Sequence, residues 1–213
     1  MSGRRPIPFA ALKAAVFVLA LLPFVQLSYS ALWNVEALGP NPAETLTRTL
    51  GDWTLRFLLL TLAVTPLRRL FGLPDLARLR RMLGLYAFFY ALLHFACYIA
   101  FDQVFDAGEI LRDVMKRPFI TLGMIALLLM LPLAFTSTNA MVKRLGARRW
   151  TRLHRAVYLI AALGVVHFWM MVKRDITEPA IYAVLLALLL GYRVAAWRRT
   201  ETSRAAGARR RTA

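Results

Sequence analysis

A single cysteine, Cys97, in 213 residues excludes an intrachain disulfide and any paired-cysteine attachment of a prosthetic group. Charge is thin, at 18% of residues, and acids are scarce: 11 Asp and Glu against 28 Lys and Arg. No glycine-rich phosphate loop and no CxxC pair occurs, and the longest loops run to only about 20 residues, so no nucleotide-binding unit or other soluble domain fits. Histidine is rarer still, with three in the whole chain.

What fills the sequence is hydrocarbon. Hydrophobic residues make up 59% of it, and the mean hydropathy is +0.54. A soluble domain of this length cannot hide so much apolar surface. Runs at 9–27, 53–66 with its flanks, 83–101, 119–135, 153–172 and 180–197 are suited to crossing a hydrocarbon layer of about 30 Å. The pattern predicts an all-α integral membrane protein, a six-helix transmembrane bundle. The second run is the weakest, because Arg56 lies inside it. Residues 1–199 then form the membrane domain, and 200–213, "TETSRAAGARRRTA", a basic disordered cytoplasmic tail.

The net charge of +17 raises nucleic acid as a partner, but the placement of the charge argues against it. The N-terminus, the 67–81 loop, the 136–155 loop and the C-terminal segment hold 21 of the 28 basic residues and only two acids, Asp75 and Glu201. The intervening loops hold the other nine acids. Lys/Arg excess marks the cytoplasmic side of a membrane protein, so both termini are expected in the cytoplasm. Arg4, Arg5 and Lys13 ahead of an apolar run ending "LSYSA" also resemble a secretory signal. Retaining this segment as an anchor gives an even number of spans with basic loops at both ends, and that is the reading adopted.

Two of the three histidines lie inside apolar runs. His94 sits eight residues before Asp102, and His167 eight before Asp175, on spans that both run from the basic to the acidic side. At about 1.5 Å per residue both imidazoles fall roughly 12 Å below the acidic ends. Two histidines at one depth on parallel helices can ligate a haem iron from its two faces, an arrangement suited to electron transfer. The plain alternative is that each is an interhelical hydrogen-bond donor. Gly164 and Ala161 leave room beside His167, while Tyr86, Tyr90 and Tyr98 share the face of His94. His154 lies thirteen residues before His167, about 20 Å along and about 220° around a helix, so it does not share that face. The position thirteen before His94 is Arg81, which cannot ligate iron. His154 is therefore either an interfacial residue or part of a flavin, quinone or haem site.

Several stretches carry a family resemblance: "LTLAVTPLRRL", "RRMLGLYAFFYALLHFACY", "KRPFITLGM", "PLAFTSTNAMVKRLGARRWTRLHRAVYL" and "EPAIYAVLLALLLGYR". Over roughly residues 50–193 the chain resembles the MsrQ (YedZ) family, haem-binding membrane subunits within the ferric reductase and NADPH oxidase-like superfamily. The resemblance implies a bacterial inner (plasma) membrane protein with b-type haem, and with FMN as a further cofactor. It implies that electrons pass from the respiratory quinone pool through haem to MsrP, a periplasmic molybdopterin methionine sulfoxide reductase, which repairs oxidised periplasmic proteins. The family histidines fall on His94, His154 and His167, with His94 and His167 on the haem iron. On this reading the chain is an electron-transfer subunit and carries no catalytic residue of its own. Its basic loops offer a docking surface for a cytosolic flavin reductase, although setting topology already accounts for them. Two other readings stay open: a stand-alone ferric or oxygen reductase, and a transporter or assembly protein that uses histidine as polar glue.

Overall fold

A computed structural model describes the backbone of residues 8–172 and 174–212, with side chains except at 200 and 203–212. Arg4, Arg5 and Lys173, counted above with the loop charges, lie outside the described residues. Among the described residues there are nine α-helices and no strand. They are α1 (Phe9–Trp33), α2 (Pro42–Leu70), α3 (Leu76–Cys97), α4 (Ala107–Lys116), α5 (Pro118–Phe135), α6 (Asn139–Leu145), α7 (Ala147–His154), α8 (Ala156–Met171) and α9 (Thr177–Thr212). A π-helical turn, Tyr98–Asp102, prolongs α3. Six stretches are long and apolar enough to cross a membrane: α1, α2, α3 with its π turn, α5, α7 joined to α8, and the first part of α9. The protein is a multi-pass membrane protein, all-α as the sequence predicts.

Helix α2 is the centre of the bundle. The sequence marks it as the weakest span, yet at 29 residues it is the longest. Half of its most apolar window is buried by other helices, against 11% for α1 and α5. A helix shielded by protein needs less hydropathy than one bathed in lipid, and its polar groups are met by neighbours. Arg56 donates from Nε to the Tyr182 hydroxyl on α9 at 3.0 Å, and its guanidinium lies 4.8 Å from the Trp53 ring centre. On its other side α2 inserts Phe57 between Tyr86 and Tyr90 of α3, with ring centres 5.6 and 5.4 Å away. Leu55, Leu59 and Leu62 of α2 meet Ala161 and Val165 of α8 and Leu186 of α9 in a second apolar cluster. Asn41 accepts the Glu44 N–H at 3.2 Å and Pro42 opens the first turn, which sets where α2 begins.

Pro66 inside α2 removes a backbone donor, and a tertiary contact takes up what it frees. Pro66 cannot bond the carbonyl of Leu62, and Arg193 of α9 donates to that oxygen at 2.5 Å. Around Pro23 of α1, the Tyr90 hydroxyl enters the helical ladder. It donates to the Ala20 carbonyl at 2.7 Å and accepts the Phe24 N–H at 3.2 Å. The Tyr86 hydroxyl donates to Phe17 of the same helix at 2.9 Å.

Helix α9 continues through the basic C-terminal segment to Thr212, where the composition suggests a disordered tail over 200–213. Ala and Arg dominate that segment and favour helix, and the nucleation cost has already been met by the apolar part of α9.

Candidate functional site

The bundle has two chemically different ends. Loops joining α1 to α2, α3 to α5 and α8 to α9 carry most of the acids, and form the acidic end. The opposite, basic end carries the α2–α3 and α5–α8 connections. Near the acidic end lies a cavity of about 560 Å³, a volume within the usual range of cofactor sites. Its walls include α2, α3, α5 and α8, and both intramembrane histidines line it. Toward the middle of the bundle it is closed by Leu55, Leu58, Ala126, Leu127 and Ile160.

His94 and His167 approach each other across this space, with ring centres 6.2 Å apart and planes at 85°. Each ring is fixed by the same pair of devices. His94 Nδ1 lies 2.8 Å from the Thr47 carbonyl of α2, and His167 Nδ1 lies 2.6 Å from the Phe119 carbonyl of α5. A carbonyl can only accept, so each Nδ1 carries the proton and each Nε2 keeps its lone pair. This is the tautomer a metal ligand requires, with the second nitrogen setting the ring's orientation. One turn beyond each carbonyl is a glycine. A Cβ on Gly51 would sit 3.1 Å from His94 Nδ1, and one on Gly123 would sit 3.0 Å from His167 Nδ1. Each imidazole therefore lies against bare helix backbone, and no other residue leaves that room.

The donor set suits a metal macrocycle. Metal–imidazole bonds of about 2.0–2.1 Å on either side of one ion put the two ring centres roughly 6 Å apart. Among the described residues no group of three or more His, Cys, Asp or Glu could hold a bare ion, so a metal here needs most of its ligands from elsewhere. A porphyrin supplies four.

His154 belongs to another cluster, at the basic end. Its Nε2 is 3.0 Å from the Thr136 hydroxyl, which itself donates to the Pro132 carbonyl at 2.6 Å. With the hydroxyl proton committed, His154 Nε2 must be the donor, the opposite tautomer to the other two. The ring stacks on Trp150 at 3.8 Å, and Trp150 donates to the Thr136 carbonyl at 2.9 Å. Arg81 lies 5.8 Å from the Trp150 ring centre and donates to Asn139 at 2.6 Å. His154 does not line the cavity; it ends α7, whereas His167 stands on α8, beyond a break at Arg155.

Two expectations about neighbours need correction. Gly164 lines the cavity, but the space it leaves is filled by Leu55 and Leu58, with Leu55 3.5 Å from a Cβ built there. The room beside His167 comes from Gly123 on a different helix. Tyr86 and Tyr90 turn their hydroxyls to α1, and only Tyr98 reaches the cavity, donating to Asp113 at 3.2 Å. The grips missed by the sequence reading are the Thr47 and Phe119 carbonyls with Gly51 and Gly123. The sequence did hold one signal for them: the tripeptide Thr-Leu-Gly occurs twice, at 49–51 and 121–123.

Facing imidazoles inside a six-span bundle define a class, and the profile of the ferric reductase like transmembrane component family matches residues 50–165. Relatives narrow it. The chain is 54% identical over 197 residues to the protein-methionine-sulfoxide reductase heme-binding subunit MsrQ of Herminiimonas arsenicoxydans, covering 91% of this chain and 89% of that protein. It is 55% identical over 190 residues to the MsrQ of Azospira oryzae, covering 89% and 81%. For the MsrQ of Rhodospirillum rubrum the identity is 54% over 194 residues, covering 91% and 92%. The chain belongs to the MsrQ family.

Proposed function

We propose that this chain is the membrane electron-transfer subunit of a bacterial methionine sulfoxide reductase, with b-type haem between His94 and His167. The observation that carries the reading is the imidazole pair, 6.2 Å apart, with both Nδ1 protons given to backbone carbonyls. The names of the relatives, heme-binding subunits of that reductase, support it. Haem with two imidazole ligands supplies one-electron chemistry with no coordination position open to oxygen.

The protein's own groups do the rest. The Thr47 and Phe119 carbonyls hold both rings in the ligating tautomer, and Gly51 and Gly123 let the helices close on them. Leu55, Leu58, Ala126 and Ile160 keep water from the membrane-centre side of the cavity. In this reading the subunit lies in the inner membrane, as the family resemblance implies, with both termini cytoplasmic, an orientation supported by the basic residues that crowd the α2–α3 and α5–α8 connections. The acidic end, with its cavity, then faces the periplasm, where MsrP is the acceptor. Respiratory quinol is the donor. FMN, implied by the family resemblance, and a cytosolic flavin reductase belong to the basic end, where Trp150 and His154 offer a stacked aromatic surface.

The test is the spectrum of the purified protein. A low-spin Soret band is expected, lost in His94→Ala and in His167→Ala, because one remaining imidazole leaves the iron five-coordinate. Full haem content with an unchanged spectrum in both variants would overturn the ligand assignment.

A further inference from the structure

The cavity is polarised along its length. Its membrane-centre side is aliphatic, while its mouth at the acidic end is lined by Arg48, Arg117, Tyr98 and Gln103 together with the carboxylates Glu44, Asp52 and Asp102. The two arginines stand on the two helices that grip the histidines. Arg48 follows Thr47 on α2, and Arg117 lies two residues before Phe119, at the start of α5. Each is tethered by one carboxylate. Arg48 Nη2 is 2.5 Å from Glu44, one turn earlier, and Arg117 Nε is 3.2 Å from Asp113. Asp113 is largely covered, with 13% of its side chain exposed, and also accepts from Gln103 at 2.8 Å and from Tyr98 at 3.2 Å. The Asp113 contact uses Arg117 Nε and leaves both terminal nitrogens for another acceptor. Haem is itself amphipathic, with an apolar edge and an opposite edge bearing two propionates.

We propose that Arg48 and Arg117 bind the two haem propionates at the mouth of the cavity, with Asp113 as the positioning residue for Arg117. The proposal rests on haem occupying the cavity, and adds which way round it sits: propionates toward the acidic end, apolar edge toward Leu55 and Leu127. The propionate charge then stays at the mouth beside Arg48 and Arg117, and none is carried toward the membrane centre, where it is costly. A positive guanidinium beside a propionate also favours the ferrous state, because an uncompensated propionate favours ferric iron.

The experiment uses the full chain in detergent, stripped of haem and reloaded with either haem or haem dimethyl ester, which lacks the propionate charges. Haem transfer to apomyoglobin and the midpoint potential are measured for wild type, Arg48→Gln, Arg117→Gln and Asp113→Asn. With haem, each arginine variant is expected to release it about 3- to 10-fold faster, the size of a charge-assisted pair partly open to water. Its midpoint potential should fall. With the ester, the arginine variants should match wild type in release. Asp113→Asn should follow Arg117→Gln in haem release, with a smaller effect. Equal losses with haem and ester would show that the arginines act only on the fold, and unchanged release with haem would show that they do not touch the propionates. Either result overturns the proposal. A wild-type protein that carries no haem as purified and takes up neither compound refutes the haem reading itself.

Discussion

Substituting Gly123 by alanine tests the site through a single methyl group. The new Cβ would lie 3.0 Å from both Nδ1 and Cε1 of His167, some tenths of an ångström inside ordinary contact. The ring has little freedom to yield, because its Nδ1 is held 2.6 Å from Phe119 and its ring centre stands 6.2 Å from that of His94. Overpacking of this kind costs about 1–3 kcal/mol. At 1.4 kcal/mol per factor of ten, haem affinity should fall roughly 5- to 150-fold. The fold shares this strain, offset by up to about 1 kcal/mol because alanine is favoured over glycine in a helix interior. Haem retention should therefore fall by more than the stability of the stripped protein. Gly191→Ala on α9 is the control, for a Cβ there meets nothing within 4 Å. The assay is haem release to apomyoglobin beside the melting temperature of the stripped protein. Release from Gly123→Ala at the wild-type rate, with an unaltered spectrum, would refute the claim that bare α5 backbone seats the imidazole.

Three further outcomes follow from the same structure. His154→Ala should keep the Soret band, since the residue is remote from the cavity, yet slow haem reduction by a quinol analogue; normal kinetics would leave it an interfacial role, and loss of all haem would make it a ligand. Tyr90→Phe removes a buried hydroxyl that serves Ala20 and Phe24 together, and should cost about 1–3 kcal/mol, read as an earlier thermal transition in detergent. A reporter fused after Trp197 should read as cytoplasmic and one inserted near Asp106 as periplasmic, because 21 of 28 basic residues fall on the opposite set of loops from Asp106; the reverse pattern would turn the cavity toward the cytoplasm.

The sequence carried the spans and the histidine pair for a simple reason: hydropathy and residue spacing along a helix are one-dimensional properties. His94 and His167 stand at equal distances from the acidic loops, and parallel helices turn equal distances into a shared depth. The understated extent of α2 shows the limit of that logic. Hydropathy measures preference for lipid, and a central helix meets mostly protein, so Asp52 and Arg56 lowered the signal of the helix that organises the rest. The grips on the imidazoles were hidden for a different reason. A backbone carbonyl has no sequence identity, and a glycine announces neither which ring lies against it nor on which helix. The opposite tautomer of His154 was equally invisible, since Thr136 supplies it from another helix.

Helix α1 shows only a small part of its surface to the other helices, yet two tyrosine hydroxyls from α3 bond its backbone at Phe17 and at Ala20. Backbone bonds of this kind act as a vernier. A translation of α1 by one residue, or a rotation by a third of a turn, would take both acceptors out of reach at once. Apolar contact with neighbours and lipid would hardly register the slip. The first helix can thus trade lipid neighbours over most of its surface while its register against α3 stays fixed, so the bundle's periphery is laterally fluid and longitudinally indexed.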